Sequence, residues 1–345
     1  MKLHKLQMDK KYAFALIGCG KIAPRHAQQM IKYGRLAAVC DIVKEKADSF
    51  ALQYDARAYY TIEELLDKEK EIDLIAVCTP NGLHAEHCVK SAQAGKNVLC
   101  EKPLCITGVA AWQMMETAKY CGKKLYVVKS TRFTPALQSL KKLLNENKTG
   151  AIYSFQLNCL WNRPAAYYKE SWRGKLYPDG GTLYTQFSHY IDALLWLLGD
   201  VKDIVGYRKN TAHKDSIEFE DNGVVALEME SGAIGGLHWS VNTFSKNMEV
   251  SLTILAENGT IKIGGEYMNK VTYQQTDDAM KIDISSVVNP ANDYGNYKGS
   301  MSNHDKVYEN LVLALENENH PFTNAFDGLK TVELIERIYK KISLL

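Results

Sequence analysis

A chain of 345 residues exceeds one average domain and suits two. Hydrophobic residues at 46% and charged residues at 24% are an ordinary globular composition, with enough apolar side chains for large cores. The formal net charge of +2 argues against nucleic-acid or membrane-surface partners, which need a basic excess on one face. No apolar run approaches the roughly 20 residues needed to span a bilayer.

The basic stretch Lys2, Lys5, Lys10, Lys11 leads into Tyr12–Ile17. That apolar run is too short for a signal peptide and reads as a strand. Eight cysteines occur without a CxxC spacing. They read as free thiols in a reducing compartment, so a cytoplasmic protein without a metal is expected.

To about residue 130 the chain alternates short apolar runs with helical stretches, the pattern of an α/β doubly wound parallel sheet. The predicted strands are Tyr12–Gly18, Leu36–Asp41, Asp73–Thr79, Asn97–Cys100 and Leu125–Lys129. Helices are predicted at Ala47–Tyr54, Ile62–Lys68 and Ala85–Ala94. Residues 131–345 read as an α+β domain with a large open, mostly antiparallel sheet. A long strand covers Ala151–Trp161, an aromatic and basic loop follows, and a helix runs from about Thr182 to Leu198. Ser231-Gly232 and Asn258-Gly259 mark hairpins, because these turns need residues that tolerate positive φ. Helices near His304–Glu316 and Gly328–Ile342 close the chain, the last expected to pack back on the first domain.

Gly18-Cys19-Gly20-Lys21-Ile22-Ala23 follows the first strand and opens a helix. This is the G-x-G-x-x-A turn of a Rossmann dinucleotide site, where the glycines admit a pyrophosphate and the helix N-terminus faces it. Asp41 ends the next strand about 20 residues further on, where an acid binds a ribose diol and repels a 2′-phosphate. NAD is therefore the expected cofactor. Thr79-Pro80-Asn81 with His84, and Glu101-Lys102-Pro103, close two further strands and face the same crevice. Asn81 also reads as a helix N-cap, a role compatible with facing the crevice.

Oxidising an alcohol needs a base of near-neutral pKa. Lys102 can serve if desolvated beside a cationic nicotinamide, with Glu101 orienting it. His189 is the second candidate. On a regular helix Thr185, Gln186, His189 and Asp192 share one face, and Asp192 would hold the imidazole. Between residues 161 and 181 the loop is dense in aromatics and arginines. Arg163 and Arg173 suit a carboxylate or phosphate, and Trp172 and the tyrosines suit sugar rings. The same loop also reads as a structural one stapled by its aromatics.

The Gly-x-Gly-x-x-Ala turn with His26, Thr-Pro-Asn-x-x-His and Glu-Lys-Pro, in this order, resembles the Gfo/Idh/MocA family over nearly the whole chain. The resemblance implies a bidomain NAD oxidoreductase whose open sheet forms a homo-oligomer, a dimer or tetramer. It implies that the 182–198 helix borders the nicotinamide and that its His assists the Lys. Many relatives carry Asp four residues before that His; here the residue is Thr185, so the base role goes to Lys102 first. The cofactor contacts implied are Gly18, Gly20, Lys21, Ile22, Asp41, Thr79, Asn81, His84, Glu101 and Lys102.

Trp161-Asn-Arg-Pro through Tyr167-Tyr168, Trp172-Arg-Gly, Asp179-Gly-Gly and Gln186-Phe-Ser-His-Tyr-Ile-Asp resembles the UDP-N-acetylglucosaminuronate 3-dehydrogenase branch. That likeness implies oxidation at C3 of a UDP-linked N-acetylated uronic acid, a PLP aminotransferase acting next, and in some members cofactor reoxidation by a keto acid. Lys102 and His189 are carried over as catalytic residues, with Arg163, Tyr168, Arg173 and Gln186 in the pocket. Trp172 and Arg173 alternatively touch the cofactor. Rival readings are a dehydrogenase of a free sugar or inositol, a glycosidase that uses NAD transiently, and an NAD-sensing regulator.

Overall fold

The computed structural model describes residues 12–169, 172–277, 280–282, 289–295, 297–317 and 319–345. The basic residues before Tyr12, and Ser171, lie outside the described residues.

Six parallel strands form the first sheet: β1 Tyr12–Ile17, β2 Gly34–Cys40, β3 Arg57–Tyr59, β4 Leu74–Val77, β5 Asn97–Cys100 and β6 Leu125–Val127. Their order is β3-β2-β1-β4-β5-β6, so the strand order reverses between β1 and β4. Ligands of such sheets bind beyond the carboxyl ends at that reversal. Every residue of β1 and β4 is buried, as expected for strands covered on both faces. Two of the connecting helices are started by side-chain caps. Thr61 accepts from the Glu64 amide ahead of Ile62–Lys68, and Thr107 accepts from Ala110 ahead of Gly108–Tyr120.

The second sheet contains β7 Ile152–Leu160, β8 Val201–Lys209, β9 Asn222–Met229, β10 Ile234–Ser240, β11 Glu249–Ala256, β12 Gly259–Gly264 and β13 Lys270–Thr276. Their order is β13-β12-β11-β7-β10-β9-β8. Only the β7–β10 pair is parallel; the two expected hairpins, β9–β10 and β11–β12, are antiparallel. A two-stranded ribbon, β14 Ala291–Asp293 and β15 Lys298–Met301, follows.

The predicted continuous helix from Thr182 to Leu198 is not continuous. Leu183–Phe187 is a π-helical turn, and the α-helix is Ser188–Leu198. Such widened turns cluster at functional sites because they re-aim side chains and carbonyls.

Helix His304–Glu316 packs on Ala23–Tyr33, and helix Ala325–Lys341 packs on Gly108–Tyr120 and on Ser188–Leu198. The chain end therefore clamps both sheets. One apolar core runs from Ile17 and Val77 through Trp161 and Tyr190 to Leu252, so the two halves share an interior at the cleft. On the outer face of the second sheet, Val205, Tyr207, Val224 and Ile234 remain exposed. All eight cysteines are free, and seven are buried. No helix among the described residues is long and apolar enough to cross a membrane.

Candidate active site

A cleft of about 1190 Å³ opens at the strand-order reversal and extends to the π-helical turn and the β14–β15 ribbon. A single small ligand fills about 300–1,000 Å³, so this space admits a dinucleotide together with a second molecule.

The glycine turn at its floor divides its tasks. Gly18 has φ +96°, and a Cβ there would lie 2.7 Å from the Cys78 carbonyl oxygen, so only glycine fits the tight exit from β1. Gly20 meets no protein atom within 4 Å and is exposed to the cleft. Its missing side chain leaves room for a phosphate rather than for the protein, and the helix Ala23–Tyr33 begins just beyond. Asp41 accepts from the Cys19 amide at 2.9 Å and from the Val43 amide at 2.9 Å. These two donors aim its carboxylate across the cleft floor, the position of a ribose partner. Lys21 and Ile22 also line the cleft, and the Lys21 ammonium sits 5.0 Å above the Tyr297 ring. The residues present therefore fit a bound dinucleotide with an unphosphorylated ribose.

The two other strand ends behave differently from the first expectation. Asn81 caps no helix. Its Nδ2 donates to the Asp179 carbonyl at 2.7 Å and to Thr185 Oγ1 at 2.7 Å, tying the first sheet to the second domain. Thr79 Oγ1 pairs with His87, and both His84 nitrogens face backbone carbonyls, of Pro103 at 2.7 Å and of Thr79 at 2.8 Å. His84 lines the cleft with its polar atoms already engaged.

Glu101 does not orient the Lys102 ammonium. Its Oε1 accepts from His26 Nε2 at 2.8 Å and from His304 Nε2 at 3.1 Å, and its Oε2 accepts from the Lys102 amide at 3.0 Å. His26 Nδ1 accepts in turn from Tyr308 at 2.8 Å. A buried carboxylate takes the nearest buried donors, and here two helices and a strand end supply them. Although burial opposes ionisation, the two imidazole N–H groups hold Glu101 well below the usual carboxylate range.

Lys102 is half-buried at the cleft wall, and its Nζ donates to the Thr185 carbonyl at 3.0 Å. Desolvation lowers its pKa, with the Glu101 charge pulling the other way. His189 also faces the cleft, 6% exposed. Burial, helped by the nearby Lys102 charge, drives its pKa well down, so it stands neutral. Its Nε2 meets Ser300 Oγ at 3.1 Å, and its Nδ1 has no hydrogen-bond partner among the described residues.

Asp192 does not hold His189. It pairs with Lys129 at 2.8 Å and takes a bidentate contact from Arg132 at 2.8 and 2.7 Å. The π-helical turn takes Thr185 and Gln186 off the regular helix, whereas His189 and Asp192 both lie on Ser188–Leu198; there the fully buried carboxylate takes the two available cations instead of the imidazole.

In the upper cleft, Tyr168 is corrected. It is buried against Ile217 and Phe219, and its neighbour Tyr167 lines the cleft instead. Gln186 bridges inward, accepting from Arg163 Nε at 2.7 Å and donating to Tyr167 at 2.9 Å. Arg163 lines the cleft but is 2% exposed. Its guanidinium is further engaged by the Asn162 carbonyl at 2.6 Å, Asn247 Oδ1 at 3.2 Å and the Lys298 carbonyl at 3.3 Å. One N–H remains, so Arg163 braces the wall and is not an open anion clamp. Arg173 differs: it stacks on Tyr167 and Trp172, and its buried Nε has no partner.

The β14–β15 ribbon closes the top with Asn292, Tyr294, Tyr297 and Ser300, residues the sequence did not single out. His304 and its partner His26 were likewise missed as a bonded pair around Glu101. A Tyr-rich polar stretch with neither strand nor helix periodicity carries no local signal.

Glycine turn, ribose acid, lowered lysine and neutral histidine in one cleft define an NAD-dependent oxidoreductase. Residues 12–129 match the oxidoreductase family's NAD-binding Rossmann fold, and residues 137–262 match the GFO/IDH/MocA C-terminal domain. The chain belongs to the Gfo/Idh/MocA family, NAD-dependent enzymes that include sugar and polyol dehydrogenases.

Among solved structures, the WlbA dehydrogenase of Bordetella pertussis, in complex with NADH and UDP-GlcNAcA, is 31% identical. The match covers 96% of each chain with a TM-score of 0.86. The WlbA dehydrogenase of Chromobacterium violaceum, with the same ligands, is 32% identical over 97% of this chain and 94% of its own, with a TM-score of 0.88. Among curated relatives, glucose-6-phosphate 3-dehydrogenase of Bacillus subtilis is 24% identical over 95% of each chain.

Proposed function

We propose that this enzyme oxidises the C3 hydroxyl of UDP-N-acetylglucosaminuronate to a ketone with NAD. The observation that carries the reading is Arg173, a half-buried guanidinium that lines the cleft stacked on Tyr167 and Trp172, in the same cleft as Lys102. An anionic sugar nucleotide offers the carboxylate or phosphate for that donor and the ring for those aromatics. Two relatives solved with UDP-GlcNAcA and matching the whole chain support the same class of substrate.

Gly18, Gly20, Lys21, Ile22 and Asp41 hold the NAD, with Thr79, Asn81 and Glu101 shaping its nicotinamide end. When bound, NAD supplies the hydride acceptor. Lys102, held below its ordinary pKa by burial, accepts the proton of the substrate hydroxyl. Neutral His189 borders the same substrate region, its buried Nδ1 without a partner among the described residues, and orients the reacting carbon. Arg173 and Trp172 place the anionic end, while Gln186 and Arg163 brace the wall.

A second reading, oxidation of a neutral sugar or inositol, is favoured by the internal engagement of Arg163, which leaves Arg173 as the open guanidinium in the loop. NADH formation from UDP-N-acetylglucosaminuronate, UDP-N-acetylglucosamine, glucose and inositol, each with and without 2-oxoglutarate, separates the two. Reaction confined to the uronate supports the first reading. Reaction with a free sugar or polyol alone replaces it with the second.

The exposed apolar face of the second sheet supports self-association as a dimer or tetramer. Light scattering on the purified chain checks it, and a monomer at working concentration overturns it.

A further inference from the structure

The proton-handling lysine is connected, through one residue, to a buried carboxylate that the mechanism above does not use. Lys102 Nζ donates to the Thr185 carbonyl, and the Thr185 hydroxyl donates to Asp179 Oδ1. Asp179 is 1% exposed. Its Oδ2 accepts from the Gly174 amide at 2.8 Å, and its carbonyl accepts from Asn81 Nδ2 at 2.7 Å. The same Asn81 amide reaches Thr185 Oγ1. A loop, a strand-end residue and the π-helical turn thus converge on one acid.

Burying a carboxylate is costly, and a loop can be stapled with neutral groups. Here the acid is linked to the reacting amine through Thr185, and its contacts are donors fixed by the backbone and by Thr185. We propose that Asp179 is a positioning residue for Lys102: through Thr185 it fixes where the ammonium rests, and through its charge it sets how tightly that amine holds a proton. The inference rests on the reading of Lys102 as the base.

Burial pushes the Asp179 carboxyl up to about 6, against the pull of Thr185, Gly174, Arg173 and Lys102, so it is ionised in neutral solution. The other charged or titratable groups that act on Lys102 are Glu101, Arg163, Arg173, His189 and His84. Glu101 and Asp179 are the two anions in this set, and Glu101 is occupied by two histidines. Removing the Asp179 charge therefore lowers the proton affinity of Lys102. An unchanged amine would mean that Asp179 only fastens the loop.

The test is the titration of Lys102 in the NAD-loaded enzyme. Lysines are reductively methylated with ¹³C and followed by NMR, with the Lys102 signal identified by its loss in Lys102→Met. Asp179→Asn is expected to lower the Lys102 midpoint by about one pH unit. The acid limb of the turnover profile should move the same way. A midpoint that stays in place overturns the proposal.

A second pair of variants keeps the test open should Asp179→Asn fold poorly. Thr185→Val should lower kcat while leaving the KM for NAD unchanged, and Thr185→Ser should restore kcat. Equal losses in Val and Ser, or none in either, overturn the proposed link. If Lys102→Met turns over normally, the base assignment itself fails. If Lys102→Met is inactive while Asp179→Asn leaves the midpoint unmoved, only the role of Asp179 fails.

Discussion

Lys102 Nζ lies 3.0 Å from the backbone oxygen of Thr185, a carbonyl presented by a π-helical turn. The amine is thereby held at the cleft wall by a neutral acceptor, and no carboxylate is bonded to it. A carboxylate in that contact would favour the charged form; a carbonyl restrains position while burial lowers the proton affinity.

Replacing the amine isosterically separates chemistry from binding. Lys102→Met is expected to reduce turnover by about 100-fold or more, the usual contribution of a positioned base. NAD affinity by fluorescence titration should stay near wild type. Turnover should rise with pH as Lys102 loses its proton, at a pH below that of an ordinary lysine. A profile flat across that range would remove the lysine from proton transfer.

The glycine turn makes a two-way prediction. Gly18→Ala places a Cβ 2.7 Å from the Cys78 oxygen at a left-handed φ, so thermal stability should fall. At Gly20 an added Cβ meets no protein atom, so Gly20→Ala should hold its stability while the NAD Kd rises by about tenfold or more. Thermal melts and NAD titration on both variants check the pair, and equal behaviour of the two contradicts it.

Asp41 is expected to decide between the two dinucleotides. Asp41→Ala should weaken NAD binding and relax the preference over NADP, measured as the ratio of the two Kd values. An unchanged ratio would place the ribose elsewhere.

The two arginines of the loop should part company. Arg173→Ala is expected mainly to raise KM for an anionic sugar nucleotide. Arg163→Ala strands Gln186 Oε1 and the Asn162 carbonyl, while Asn247 and the Lys298 carbonyl keep other donors, so it should lower the melting temperature by the cost of about 1–3 kcal/mol per unsatisfied group. Steady-state kinetics and melts of both variants test this division of labour.

Glu220 carries a stability prediction. Burial raises its carboxyl to about 7, opposed by its bond from Tyr339 at 2.6 Å and by Arg208 and Trp239. A raised folded pKa means the protonated form is favoured. Its stabilising effect is complete below the unfolded carboxyl value and is lost as pH rises to about 7. Between about pH 5 and pH 8 the wild type should lose on the order of 2 kcal/mol that Glu220→Gln does not lose. Parallel denaturation curves at both pH values would contradict the assignment.

Much of this architecture is legible locally. The run Leu74–Val77 reads as a doubly covered strand because every residue is apolar, and Asn258-Gly259 reads as a hairpin because both positions accept positive φ. The cofactor turn is legible for the same reason: its residues are consecutive. What sequence leaves open is the choice among distant partners. Asp192 and His189 are neighbours on a regular helix, yet Lys129 and Arg132 arrive from the end of β6 and take the carboxylate. His26, Glu101 and His304 belong to three separate segments, and nothing in any one segment announces the others. Tyr167 and Tyr168 sit in a short irregular stretch where no period says which ring faces the cleft.

The most direct measurement follows the hydride itself. UDP-N-acetylglucosaminuronate carrying deuterium at C3 is incubated with the enzyme and NAD, then with 2-oxoglutarate, and the products are read by mass spectrometry. The expected result is deuterium in the reduced nicotinamide, or in 2-hydroxyglutarate where the keto acid reoxidises it, with a 3-keto sugar nucleotide formed. Absence of label from both, with the uronate recovered intact while a free sugar or polyol is oxidised, would contradict the proposed reaction.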